Sequence, residues 1–97
     1  MRITAEKRLY KYWKKNPNAR GALEAWVEHV RRAKWNSPQE LAEDYGIDTV
    51  HPGNRAVFNI KGNHYRLVAH IHYKSHRLFI RFIGTHEEYN KIDVSTI

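Results

Sequence analysis

The chain has 97 residues, of which 41% are hydrophobic and 28% charged, with no cysteine at all. That length supports one hydrophobic core rather than two, so a single domain spanning 1–97 is expected. The missing cysteines exclude disulfides, thiolate metal sites and cysteine nucleophiles together, which leaves His, Tyr, Arg, Lys and carboxylates to carry any chemistry. Seventeen Lys and Arg against ten Asp and Glu give a net charge of +7, which points to a polyanionic partner. The charge is unevenly placed: residues 1–36 carry +7, residues 37–54 carry −4 and residues 55–97 carry +4. No apolar run is long enough to span a bilayer and the start of the chain lacks the apolar stretch of a secretory signal, so a soluble protein without a membrane partner is expected.

Taken in chain order, Met1 to Thr4 could form a short strand. Leu9, Tyr12 and Trp13 then recur at i, i+3, i+4 among Lys7, Arg8, Lys11, Lys14 and Lys15, which predicts a helix with a basic outer face. Asn16-Pro17 ends it, because proline disfavours a helical residue before it and suits the start of a new helix. Leu23, Trp26, Val27 and Val30 predict that second helix. Ser37-Pro38-Gln39-Glu40 is a capping box for a third, with Gly46 as its C-cap after Tyr45.

From Arg55 the hydrophobic period changes from the helical value to two. Val57 to Ile60 reads as one strand, and Lys61-Gly62-Asn63 as a hairpin turn. In the next strand Tyr65, Leu67, Ala69, Ile71 and Tyr73 should face one way, with His64, Arg66, Val68, His70 and His72 facing the other. In the third strand Leu78, Ile80 and Phe82 alternate with Arg77, Phe79, Arg81 and Ile83. Thr85-His86-Glu87-Glu88 is another capping box, predicting a short helix from His86 to about Ile92. The expected fold is therefore α+β: N-terminal helices packed through Leu9, Trp13, Leu23, Trp26 and Val30 on one face of an antiparallel sheet, with a short C-terminal helix and the second sheet face left exposed.

That free face would gather Arg66 and Arg81 on neighbouring strands near His86 and Tyr89, which share one face of the last helix. Arginine holds phosphate through paired hydrogen bonds, and an imidazole exchanges protons near neutral pH. These groups suit RNA strand cleavage by general acid-base chemistry, in which a ribose 2′-hydroxyl attacks the adjacent phosphate without need of a metal or other cofactor. Asn59, Lys61, Asn63, His64 and His70 are candidate RNA contacts. The alternate histidines His64, His70 and His72 also have the spacing of metal ligands, but no strand carboxylate completes the set and a row of free imidazoles is the favoured reading. Trp13, Trp26 and Trp35 could stack bases, although Trp13 and Trp26 have core spacing.

The run Val57-Phe58-Asn59-Ile60-Lys61-Gly62-Asn63-His64-Tyr65-Arg66-Leu67, followed by Ile80-Arg81-Phe82-Ile83-Gly84-Thr85-His86-Glu87-Glu88-Tyr89, closely resembles the HigB toxins of bacterial type II toxin-antitoxin systems. Trp26 and Lys34-Trp35-Asn36-Ser37-Pro38 fit the helical region of that family. The resemblance implies a RelE-like fold, an mRNA interferase that arrests translation in the bacterial cytoplasm, action on the ribosome, and neutralisation by a HigA-type antitoxin through which alone operator DNA is bound. It places catalysis on Arg66, Arg81, His86 and Tyr89, with Asn59 and Asn63 shaping the site. Where the family usually has aspartate after the tyrosine, this chain has Asn90. The competing reading from the residues alone is a non-catalytic RNA- or DNA-binding module, and a third is a docking domain for an acidic protein.

Overall fold

A computed structural model describes residues 1–97. In chain order the elements are strand β1 (Arg2–Thr4), helices α1 (Lys7–Lys15), α2 (Arg20–Arg32) and α3 (Pro38–Tyr45), strands β2 (Val50–His51), β3 (Arg55–Ile60), β4 (Tyr65–His72) and β5 (Arg77–Thr85), and helix α4 (His86–Tyr89). Three 3₁₀ turns, Pro17–Ala19, Ile47–Thr49 and Val94–Thr96, lie between or after them. No helix is long and apolar enough to cross a membrane.

The five strands form one sheet in the order β1-β5-β4-β3-β2. It is mixed rather than purely antiparallel, because β1 runs parallel to β5 with Arg2 opposite Arg77 and Thr4 opposite Phe79. This parallel pairing needs a crossover, and the helical first half of the chain supplies it. Strand β2 has two residues and too little pattern to be foreseen; it closes the far edge against Ala56 and Arg55.

Helices α1 and α2 cover one face. Leu9, Leu23, Val30, Phe58, Leu67, Ala69, Ile71, Leu78 and Ile80 are fully or almost fully buried there, as their spacing on helix and strand requires. Trp13 is only half-buried at the margin, where its ring meets Tyr10 and the Arg20 guanidinium. The aromatic centre is Phe58, contacted edge-on by Trp26 at 5.2 Å and Tyr45 at 4.9 Å and flanked by the nearly parallel ring of Trp35. Trp35 is thus a core residue and not a base-stacking platform, its indole N–H donating to Asp44 at 3.1 Å. Ser37 caps α3 by accepting from the Glu40 N–H, and Gly46 ends that helix at a φ of 96° that a side chain would oppose.

Strand β5 departs from simple alternation. Val68 is opposite Phe82 whereas Ala69 is opposite Ile80, so Arg81 is an extra residue in a β-bulge. Beyond it the parity reverses: Ile83 joins the helix-covered face opposite Leu67, and Phe82 moves to the second face beside Val68. The second face is therefore not simply exposed. Val57 and Val68 are buried on it, outside the main core, and Arg66 is buried between Asn59 and Gly84 of the adjacent strands. After α4 the chain continues in tight turns, with the Lys91 N–H donating to Glu88 and the Ile92 N–H to Tyr89. These three-residue spacings are why the regular helix stops at Tyr89 rather than Ile92. The chain then reaches the opposite end of the same face, where the Arg55 Nε–H donates to the Ile97 carbonyl at 2.8 Å.

Candidate active site

The second sheet face, α4 and the segment linking α3 to β2 enclose a cleft of about 380 Å³. Arg66, Asn59, Val57 and Tyr89 form one wall, and Tyr45, Gly46, Ile47, Asp48, Thr49 and His51 the other. Its sheet wall follows from register: Asn59 is directly opposite Arg66 across β3 and β4, and Gly84 opposite Arg66 across β5 gives the place of a side chain to the Phe82 ring and the Glu88 carboxylate.

Arg66 is the anchor. It is only 9% exposed, and its guanidinium is held by three carbonyl-type acceptors: the Asn63 and Tyr65 carbonyls at 3.3 Å and Asn63 Oδ1 at 3.4 Å. The Tyr89 ring lies beneath it, 6.0 Å from the guanidinium carbon. A buried guanidinium without a carboxylate partner keeps its charge available for an incoming anion, and low local dielectric strengthens that attraction. Asn63 thus acts on Arg66 from the turn below.

The capping box fixes α4. The Thr85 hydroxyl accepts from the Glu88 N–H at 3.1 Å, and the Glu88 carboxylate accepts from the Thr85 N–H at 2.7 Å. His86 and Tyr89 consequently face the same side of the helix. The His86 backbone N–H donates to the His64 carbonyl at 3.2 Å, joining α4 to the start of β4. Its ring Nδ1 is 3.1 Å from Asn90 Nδ2. That contact orients the imidazole on the helix surface and leaves Nε2 directed away from Asn90.

Arg66, Tyr89 and Asn59 meet in the cleft, with Asn63 behind Arg66. Arg81 does not line it. The bulge carries Arg81 to a separate groove of about 400 Å³ along α1, bounded by Arg8, Lys11, Tyr12, Lys15, Phe82 and Ile83. Arg8 donates from its guanidinium to the Arg81 carbonyl there. His86 sits outside both linings, exposed on α4. Lys61 reaches the opposite way, its ammonium 3.3 Å from the Asn18 carbonyl on the helical side. His70 lies farther along the second face opposite Phe79, its ring 5.3 Å from that of His72. Burial, then the neighbouring His72, Arg55 and Arg81, push its pKa below the ordinary histidine value.

The cleft also contains groups that pattern reading passed over: Asp48, Thr49 and His51. They belong to the acidic stretch 37–54. Glu40 and Asp44 of that stretch have internal partners, Glu40 accepting from the Asn36 N–H and Asp44 from Trp35 and His29. Asp48 has no ion pair. The only mark in the sequence is the place of Asp48 two residues beyond the helix-ending Gly46.

Helices on one side of a five-stranded sheet, with a cleft built around a buried arginine and a tyrosine on the other, make a small α+β domain consistent with the RelE-like fold that the resemblance implies. The model of the HigB toxin family, described as the RelE-like toxic component of a toxin-antitoxin system, matches residues 19–92. The chain belongs to the HigB toxin family. It is similar to the mRNA interferase HigB of Escherichia coli O6:H1, with 27% identity over 81 residues covering 81% of this chain and 79% of that protein.

Proposed function

We propose that this chain is an mRNA interferase, the toxin of a type II toxin-antitoxin pair, which cleaves mRNA on the ribosome by metal-independent acid-base chemistry. The observation that carries the reading is the buried Arg66 guanidinium facing a cleft beside Tyr89 in a member of a toxin family.

In this reaction the scissile phosphate lies against Arg66, with Asn59 beside it. The ribose 2′-hydroxyl attacks phosphorus and gives up its proton to a base, the P–O5′ bond breaks, and the departing 5′-oxygen takes a proton from an acid. The products are a 2′,3′-cyclic phosphate and a 5′-hydroxyl. His86 serves in proton transfer through Nε2. Tyr89 orients the substrate or relays a proton, and Arg66 neutralises charge that builds on the nonbridging oxygens, an effect strongest in a water-poor site. Arg81 acts from the groove along α1, attracting the flanking phosphate chain together with Arg8, Lys11 and Lys15. The basic face of α1, including Lys7 and Lys14, holds ribosomal RNA, and His64, His70, Asn63 and Lys61 extend the contact surface. A HigA-type antitoxin neutralises the toxin and alone contacts operator DNA.

The test is induction of the wild type and of Arg66→Ala, each with and without a cognate antitoxin, with growth followed and mRNA ends mapped. Growth arrest with new mRNA ends, both absent in the mutant and relieved by the antitoxin, is expected. Steeply salt-dependent RNA binding without scission would favour the non-catalytic module instead.

A further inference from the structure

We infer that Asp48 and the Tyr45–Thr49 wall form a base-selecting subsite that takes an unpaired guanine next to the scissile phosphate. The inference rests on the RNA-cleaving reading above and deepens it to substrate choice.

The cleft has the size of a small-molecule site, which falls in a range of about 300–1,000 Å³. Its two walls differ in chemistry. The sheet wall presents the guanidinium of Arg66 and the amide of Asn59, which suit a phosphate and sugar. The facing wall presents a carboxylate, the rim of an aromatic residue and Ile47, which at 72% exposed is the most solvent-exposed large apolar side chain of the molecule.

A site for phosphate alone gains nothing from Asp48, because its charge opposes the polyanion that Arg66 attracts. It becomes favourable only against a group that offers donors. Single-stranded RNA offers such groups on the Watson–Crick edges of splayed bases. Guanine presents N1–H and the 2-amino group side by side, matching both oxygens of one carboxylate. Adenine and cytosine place a ring lone pair next to their amino group, and uracil has one N–H between two carbonyls. The exposed Ile47 then lies where a base inserted beside Asp48 would cover it, removing apolar surface from water. The other charged or titratable groups lining the cleft are Arg66, His51, Tyr45 and Tyr89, none of which is ion-paired with Asp48.

The experiment compares three RNAs identical except at the candidate position: guanosine, inosine, which lacks the 2-amino group, and 7-deazaguanosine, which alters only the opposite edge. Cleavage is mapped for each RNA free and on programmed ribosomes. Binding is measured by fluorescence anisotropy with 2′-O-methyl versions that cannot be cut. Wild type is expected to favour guanosine over inosine about ten- to hundredfold, the discrimination of one good bidentate contact, and to treat 7-deazaguanosine as guanosine. Asp48→Asn and Asp48→Ser should bring the guanosine-to-inosine ratio close to one through loss on guanosine, at unchanged melting temperature. A wild type indifferent to inosine in both readouts, or variants that retain the wild-type ratio, would overturn the subsite. Failure of the cleavage reading has a different signature: no RNA is cut, while the binding ratio and its dependence on Asp48 persist.

Discussion

Replacing Gly84 by alanine tests whether the buried arginine and the last helix are held by the packing described. Gly84 is buried opposite Arg66, and its φ lies outside the left-handed region, so alanine brings no backbone strain. The new methyl carbon would stand 2.6 Å from Phe82 Cζ and 2.9 Å from Glu88 Oε1. Both contacts must yield, and both belong to side chains with a role. Phe82 packs on the second face beside Val68, and Glu88 completes the capping box of α4. Crowding of this kind costs about 1–3 kcal/mol and loss of a cap about 1 kcal/mol, offset by a gain of about 0.4–1 kcal/mol from stiffening the unfolded chain. The net loss of roughly 1–3 kcal/mol converts to a melting temperature lowered by about 5–20 °C at this chain length. Activity should fall more than stability, since displacing His86 and Tyr89 by about 1 Å can cost on the order of a hundredfold in rate. Adding Phe82→Leu removes the closest contact and should restore part of the melting temperature. Calorimetry of the single and double variants at matched pH provides the measurement. A single variant melting within about 2 °C of wild type, well below the expected shift, would refute the packing argument.

Arg66→Lys keeps the charge but loses the planar fork that grips Asn63 and Tyr65; cleavage should drop about 10²–10³-fold with RNA affinity less affected, and a wild-type single-turnover rate would contradict the assignment. Phe58→Ala empties the space between Trp26, Trp35 and Tyr45 and should destabilise by about 3–5 kcal/mol in urea unfolding; a loss below about 1 kcal/mol would mean the cluster does not support the core. Because the folded state lowers the pKa of His70, the unfolded chain binds more protons as pH falls below 6.5, so stability declines on acidification toward and through the folded value. His70→Gln should flatten that decline between about pH 7 and 5, and parallel urea-midpoint curves for the two proteins would remove the account.

The helices and the three long strands were legible because their apolar spacing is regular: Leu23, Trp26, Val27 and Val30 fall on one helical stripe, and Leu67, Ala69 and Ile71 on one strand face. The errors share a cause. The period of two continues through Arg81 in the sequence, where one additional residue reverses it in the fold, and it leaves the second face free although Val57 and Val68 on it are covered. Bulges and covering segments depend on partners distant in the chain, which a local period does not encode. The site was legible in part for the same reason. Arg66, Asn59 and Tyr89 stand on regular elements whose register brings them together. Arg81 follows the bulge out of the cleft, and Asp48 enters it from a short turn with no period at all.

The bulge at Arg81 also works as a parity device. All residues after it, through the glycine facing Arg66 and the threonine that starts α4, occupy positions set by whether the count of residues in β5 is odd or even. Drawing Arg81 into the ladder would give a more regular strand and a wrong molecule. Ile83 would turn away from the core, Phe82 would turn into it, and His86 and Tyr89 would leave the helix start on the opposite side of the sheet. An irregularity in hydrogen bonding thus sets where the reactive side chains emerge. Deleting Arg81 itself should be tolerated, because Ile80 and Phe82 already pair with consecutive residues of β4, whereas deleting any single residue between it and α4 should be rejected.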